Sequence, residues 1–569
     1  MLSIFTRLFK KNPEKAESIN FFGYRLNDLQ SEFYSRYRNG SAVVVAPTGK
    51  GKTLCLFIAA SRFLNAGQRV VYIAPTRAIL RQKFEEEAVP LFGREVVGLK
   101  TGDDHEVDDV VAFTFTTPES FLIGLRKRMA WAEADAIVID EAHFVFDSTR
   151  GKWIDAVIGY ALYKKIPLIL ATATVENPKK LAKAIRGQLF HYNKESSIKI
   201  YHEKVTTTDE KKLSALENIL KKHNKDVCLI FVPTIRTGLE LQRVLGVPFH
   251  YSFLSKDERK RIETGFGKEY KTIIATTTLA YGVNTPADVV IIYGTRRGGY
   301  YLHPFEVRQM AGRAGRHPKN TGYVYIIGDI YELADRPTYI KPISGLNETV
   351  ISELCRRDLL PKQLPVKSLF GNKKNALSCI GHLLKTGLLN RVENTWRLSP
   401  EGRIVASYLL SLDRYCMYKQ IANLLLEDNY ESAAVLLAVL TGARTYITKD
   451  ISKIVQQNLT RFQILEAKVG HLPVNEAALI YTIACGNYSR EVLNRINISE
   501  MTKWVLALKK IKENLGVELK GIDKIVDIVE VIAKLKNNST ASIESLLLDK
   551  EEQGVLEMFE NTIEEVKTL

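Results

Sequence analysis

Residues 46–53 read Ala-Pro-Thr-Gly-Lys-Gly-Lys-Thr, two glycines followed by a lysine and a hydroxyl. Glycine lets the backbone turn its N–H groups into a loop, and a helix starting at that loop adds the positive end of its dipole. The product is a cradle for phosphate. Lys52 would reach the β/γ-phosphates of ATP and Thr53 would hold Mg²⁺, with Thr48, Gly49, Lys50 and Gly51 forming the wall. Ala46 stands where the general pattern has its first glycine. A second set, Asp140-Glu141-Ala142-His143, supplies carboxylates. Asp140 is suited to holding the metal through water, and Glu141 to orienting or deprotonating the water that attacks the γ-phosphate. A third set, residues 309–316, reads Gln-Met-Ala-Gly-Arg-Ala-Gly-Arg. Its Arg313 and Arg316 offer fixed charge and a planar donor fork, which suit the charge of a phosphoryl transition state.

Such groups act together only if the backbone delivers them to one place. The cradle follows the apolar run 42–45 and leads into a helix-compatible stretch, 54–64, and the acidic pair follows the apolar run 136–139. Carboxylates at the C-terminal end of a buried parallel strand lie at the edge where α/β sheets bind ligands. Further β-branched runs at 70–74, 110–115 and 168–171, each followed by an amphipathic segment, predict a parallel α/β domain. After a polar, basic linker near 206–212 the alternation resumes at 227–232, 272–275, 289–293 and 323–327, which predicts a second α/β domain. Beyond about residue 337 helical patterns take over.

The chain is 569 residues long with a formal charge of +16, too long for one core. The positive excess favours an anionic partner, nucleic acid being the simplest. Cys55, Cys228, Cys355, Cys379, Cys416 and Cys485 form no C-x-x-C pair, which argues against a zinc ribbon or a disulfide framework and fits a reducing cytoplasm. No apolar run approaches a membrane span. Leu2, Phe5, Leu8 and Phe9 recur at helical spacing and read as a short helix docked on its own domain.

Taken together, these motifs resemble those of superfamily 2 helicases across roughly residues 21–327. Gln30 matches that family's adenine-recognising glutamine. Pro75-Thr76-Arg77, Thr101-Gly102-Asp103 and Thr117-Pro118-Glu119 resemble its strand-binding motifs, and Thr172-Ala173-Thr174 its Ser-Ala-Thr coupling motif. Phe231-Val232-Pro233-Thr234 and the run 275–287, which contains Thr278, resemble motifs of the second domain, and Gln309, Arg313 and Arg316 the catalytic arginine motif. Thr278 to Asn284, Gln309 to Gly312 and the Arg150-Gly151 pair are similar to the Ski-like branch, and closest to HelQ-type DNA helicases. Where that branch usually has His-His-Ala-Gly, this chain has His250-Tyr251-Ser252-Phe253.

The resemblance implies two tandem RecA-like domains, 1–205 and 206–338, then a winged-helix domain, 339–408, and a helical, ratchet-like domain, 409–569. Residues 375–385, 388–398 and Ser399-Pro400-Glu401 read as helix, hairpin and a capped second helix. Lys503-Trp504 and Lys509-Lys510 are expected on a helix, where Trp504 either stacks on a base or fills the core. In Arg296-Arg297-Gly298-Gly299-Tyr300-Tyr301 the tyrosines either stack on the last base pair while the arginines hold phosphate, or form a surface turn. The function implied is ATP-dependent 3′-to-5′ movement on single-stranded or 3′-tailed nucleic acid by a monomer. DNA is favoured, because no long insertion interrupts the winged-helix region. An RNA helicase and a protein-stripping translocase remain as alternatives.

Overall fold

Runs of β-branched and aromatic residues flanked by glycine and polar turns have little choice but to bury as strands. In the computed structural model they form two parallel sheets. The structure describes residues 20–537 apart from 48–49, 102–110, 148–149, 174–176, 193–198, 206–210, 252–253, 255, 277–278, 280–286, 298–299, 303, 316–320, 329–342, 426, 443–448, 470–471, 486–492 and 494–497. Outside that description fall the predicted N-terminal helix and the site positions Thr48, Gly49, Thr278 and Arg316. So do Gly102, Asp103, Thr174, Ser252 and Phe253 of the family motifs, and most of the expected linker.

The first sheet has strands β1 (Ala42–Val45), β2 (Val70–Ile73), β3 (Val97–Lys100), β4 (Phe113–Thr116), β5 (Ala136–Ile139), β6 (Leu168–Thr172) and β7 (Gln188–His191). Their order is β3-β4-β2-β5-β6-β1-β7, every pair parallel. Helices α1 (Asp28–Arg36), α2 (Lys52–Asn65), α3 (Arg77–Gln82), α4 (Pro118–Arg126) and α5 (Gly151–Lys164) flank it. Strands β1 and β5 are buried at every residue, so their faces serve two separate apolar layers, with Val44 and Val138 in one and Val43 and Ile137 in the other.

The second sheet contains β8 (Lys199–Val205), β9 (Cys228–Val232), β10 (Phe249–His250), β11 (Thr272–Thr276), β12 (Val289–Tyr293) and, beyond a small hairpin of β13 (Arg296–Arg297) and β14 (Tyr300–Tyr301), β15 (Thr321–Ile327). Its order is β8-β15-β12-β9-β11-β10. Helices α6 (Ile235–Leu245) and α7 (Pro304–Ala311) belong to it. One expected boundary moves. Residues 199–205 pair in parallel with β15, Lys199 opposite Thr321, so they belong to the second sheet although the sequence reading ended the first domain at 205.

The rest is helical around one hairpin, with α8 (Leu346–Arg356), α9 (Lys373–Lys385), β16 (Leu389–Val392), β17 (Thr395–Leu398), α10 (Pro400–Ser407), α11 (Leu412–Leu424), α12 (Tyr430–Thr441), α13 (Lys449–Val469), α14 (Val474–Ala484), α15 (Ile498–Leu515) and α16 (Ile522–Asn537). Ser399 caps α10 through Gly402 N–H, with Pro400 at the first helical position, where its missing N–H costs nothing. A single apolar cluster runs from Leu346 to Ile532, so the regions expected to divide at 408/409 share one core.

This C-terminal module is bonded to the first α/β unit through buried polar groups. Asp155 on α5 accepts from Gly345 N–H at 2.8 Å, Ser368 Oγ at 2.6 Å and Leu369 N–H at 2.7 Å. Arg126, at the end of α4, donates to Ser352 Oγ at 3.0 Å, Ala406 O at 3.0 Å and Glu348 Oε2 at 2.7 Å. Gly345 packs so closely that a Cβ there would lie 1.9 Å from Lys152 O. Among the described residues no helix is long and apolar enough to cross a membrane.

Candidate functional site

The predicted residues of the first unit lie just past the C-terminal ends of its parallel strands: the cradle after β1, Thr76 and Arg77 after β2, Thr117 and Pro118 after β4, Asp140 and Glu141 after β5. In a parallel sheet this edge collects the loops and the helix N-termini, so local sequence order alone gathers the site.

At the cradle, Gly51 has φ +74° and precedes α2 as its N-cap, with no side chain occupying the first N–H groups of the helix. A helix N-terminus of this kind is where a phosphate would bind. The Lys52 ammonium lies folded back on Ala46 O at 2.9 Å and Pro47 O at 3.2 Å, inside the loop it would share with an anion. Gln30 bonds to the loop itself, donating to Gly51 O at 3.1 Å, while Asn27 donates to Lys50 O at 3.2 Å. Asn27 and Gln30 also form a capping box on α1, which rigidifies both. Asn27 was missed by the sequence reading, although the Asn-x-x-Gln spacing announces the cap.

Asp140 is 3% exposed, and burial followed by the neighbouring Glu141 charge raises its carboxyl above the ordinary range. The nearby ammonium groups of Lys83 and Lys52 oppose that rise. Glu141 sits at φ 49°, ψ 46°, a left-handed conformation that costs a non-glycine residue about 1–3 kcal/mol and tends to persist where the surroundings impose it. His143 Nδ1 lies 3.3 Å from Glu141 Oε2 and 3.4 Å from Thr172 Oγ1. Burial, then the Lys52 charge, pushes its imidazole down to about 3, so it contacts Glu141 as a neutral ring and not as an ion pair. His143 therefore bridges Glu141 and Thr172, the first residue of the threonine motif at the end of β6. Thr53, half-buried in the first turn of α2, and Asp140 are hard oxygen ligands of the kind Mg²⁺ takes, so the donor set fits that ion.

Thr76, Thr117 and Thr234 share one local role. Each caps the helix after a strand, accepting from Ile79 N–H at 3.3 Å, Ser120 N–H at 3.3 Å and Thr237 N–H at 3.2 Å. Glu119 is half-buried, and desolvation raises its carboxyl against the pull of Arg150, Arg77 and, from α15, Lys503. The helical region thus brings a cation close to Glu119, in the first turn of the helix that Thr117 caps.

In the second unit, Gln309 is half-buried on α7. Arg313 is 8% exposed, and its carbonyl accepts Ala287 N–H at 3.2 Å. Of the hairpin residues, Tyr300 is 50% exposed and Tyr301 only 8%. Arg296 donates to Tyr301 Oη at 2.5 Å, and Arg297 is turned inward to Pro233 O at 3.1 Å and Glu306 at 3.2 Å. Paired stacking tyrosines are therefore corrected to one, Tyr300, because Tyr301 supports the turn. Trp504 is corrected as well. It is fully buried, since Met501, Trp504, Val505, Leu508 and Ile511 recur at the spacing of the inner face of α15, leaving no ring face for a base.

Comparison with known proteins agrees with this geometry. Residues 27–181 match the DEAD/DEAH box helicase family and 211–318 the helicase conserved C-terminal domain. Over these two regions the chain is similar to superfamily 2 helicases, and the relatives it matches point to the Hel308-like branch. It is similar to the probable ATP-dependent helicase MJ1401 of Methanocaldococcus jannaschii, 25% identical over 91% of this chain and 63% of the relative. It also resembles proteins named ATP-dependent DNA helicase Hel308, from Pyrococcus horikoshii (27% identical, 74% of this chain, 65% of the relative) and Thermoplasma volcanium (29%, 54% and 52%). The chain thus spans about half to two thirds of the length of these relatives.

Proposed function

We propose that this superfamily 2 chain is an ATP-dependent helicase or translocase that moves 3′ to 5′ along single-stranded nucleic acid as a monomer, DNA being preferred to RNA. The observation that supports it most is the shared sheet edge: the cradle, the acidic pair and the helices capped by Thr76 and Thr117 all follow the C-terminal ends of parallel strands of one sheet. The preference for DNA rests on relatives named as DNA helicases.

Lys52, with the backbone of residues 48–51, would bind the phosphates, and Gln30 would orient the base from its place against Gly51. Mg²⁺, held by Thr53 and through water by Asp140, would offset the negative charge of the β- and γ-phosphates. Glu141 would take the proton of the attacking water, while Arg313 and Arg316, with Gln309 beside them, would stabilise the charge that develops in the transition state. The helix N-termini at Thr76, Thr117 and Thr234, with Pro118 in the first turn, would grip phosphates of the strand, joined by Arg77 and by Thr278. Gripping of this kind is salt-sensitive and largely independent of sequence. Helix α9, the hairpin β16–β17 and α10 would form a winged-helix domain packed on the motor, and α11 to α16 the helical domain that closes over the strand.

A second reading, a translocase that strips bound proteins with weak unwinding, is favoured by the hairpin, which has two residues per strand and one exposed aromatic ring. The deciding experiment compares ATP turnover with single-stranded DNA and RNA of matched length, then unwinding of 3′-tailed duplexes. Stimulation by DNA with unwinding is the expected result. Equal stimulation by both without unwinding would replace the helicase reading with the translocase.

A further inference from the structure

Tyr72 is a buried polar group that the mechanism above leaves unused. It lies within β2, opposite Phe115 on β4 and Val138 on β5, and its ring stacks on Phe115 with centroids 4.6 Å apart. It is fully buried, and its hydroxyl donates to Asp140 Oδ2 at 2.6 Å. The other carboxylate oxygen, Asp140 Oδ1, accepts Glu141 N–H at 2.9 Å. One donor on each oxygen fixes both the position and the rotation of the carboxylate, and each oxygen keeps a further lone pair. Behind the pair lies a π-helical turn, Lys83–Ala88, whose Lys83 acts electrostatically on Asp140 and whose Glu87 acts on Tyr72. Such turns are frequent where a helix has been adapted to a site. Burial, with the Asp140 charge, pushes the Tyr72 hydroxyl well above its ordinary range and keeps it a donor.

We infer that Tyr72 is a positioning residue for Asp140: its hydroxyl, clamped in the sheet by Phe115, holds the carboxylate in the orientation from which it would order a metal-bound water. This inference rests on the proposed role of Asp140 at the nucleotide site. Nothing in the sequence marks Tyr72, which sits in an apolar run and reads as core; the assignment comes from the cross-strand distance.

The test uses the full chain as wild type, Tyr72→Phe, Asp140→Asn, the double variant and Lys52→Ala. Binding of a fluorescent ADP is followed while Mg²⁺ is titrated against EDTA, and kcat and KM for ATP are measured alongside. Tyr72→Phe should bind the nucleotide with wild-type affinity in EDTA. It should need about tenfold more Mg²⁺ for half-maximal tightening, as loss of one charge-assisted hydrogen bond implies, and lose kcat with KM for ATP held. In the Asp140→Asn background the Tyr72→Phe effect should vanish. An unchanged Mg²⁺ requirement, or an equal loss in the Asp140→Asn background, would overturn the inference. If Tyr72→Phe fails to fold while the double variant folds, the hydroxyl is required by the carboxylate and the inference stands; if neither folds, it falls. Nucleotide binding that survives Lys52→Ala undiminished would overturn the cradle reading itself, a result separable from any behaviour of Tyr72→Phe.

Discussion

On the first α/β unit the helices α4 and α5 are bonded to the C-terminal module, with Arg126, Asp155 and Ala156 joined to Ser352, Ser368, Gly345 and Thr349 across a buried seam. Its apolar layer is also continued by Leu369, Phe370 and Leu409 from that module. The second α/β unit has the same parallel architecture, yet among the described residues both of its apolar clusters are drawn from residues 205–327. A buried polar group torn from its partners costs about 1–3 kcal/mol, and several act together in the seam. A closing motion between the two units is therefore cheapest when the second unit moves and the first stays fixed to the C-terminal module. The residues proposed to share one nucleotide would thus sit on bodies of different attachment, as the proposed opening and closing requires.

The largest effect is expected where the comparison is broken at the site itself. Lys52→Ala or Glu141→Gln should lower nucleic-acid-stimulated ATP turnover by about a hundredfold or more, with strand binding still measurable by fluorescence anisotropy. Wild-type turnover in Glu141→Gln would remove Glu141 from the chemistry. Breaking the seam comes next. Asp155→Ala strands the donors of Gly345, Ser368 and Leu369, and a loss of about 3 kcal/mol in denaturant unfolding is expected. An unchanged midpoint would mean that the first unit is no more firmly held than the second.

The seam also has a pH signature. Lys127, at the end of α4, is pushed down to about 7 by burial and then by Lys510 of α15. Between pH 7 and its ordinary value of 10.5 the unfolded chain carries a proton there that the folded chain does not, so this residue makes stability rise with pH across that window; the gain is lost as pH falls from 10.5 and is gone by about 7. Lys127→Met should flatten the slope in thermal melts taken from pH 7 to 10. The smallest effect is expected at the hairpin of the second unit, where Tyr300→Ala should slow unwinding of a 3′-tailed duplex about fivefold, the worth of one base-stacking ring, and slow it more than ATP turnover. Equal losses in both would assign Tyr300 to the motor and not to duplex separation.

Much of the site was legible because it is local. Ala46 to Thr53 and Asp140-Glu141 each follow an apolar run directly, and a strand followed by its loop places them whatever the rest of the chain does. The hairpin at 388–398 and the Ser399-Pro400 cap were legible for the same reason. Strands 97–100 and 188–191 were missed because polar or small residues break their apolar runs, whereas the equally short 42–45 and 136–139 are apolar throughout. Residues 199–205 were placed in the first domain because their membership depends on a partner strand more than a hundred residues away.

By itself the sequence determined the chemistry on offer: which residues can bind phosphate, hold a divalent cation or grip a backbone, and that they sit at strand ends. Only the tertiary structure decided which side chains are available to act. It buried Trp504 and Tyr301, turned Arg297 inward, aimed Tyr72 at Asp140 and bonded α5 into the C-terminal module through Asp155. The physical reason is that residue type and spacing are encoded along the chain, whereas burial and cross-strand contact are set by segments that meet only when the sheets and helices pack.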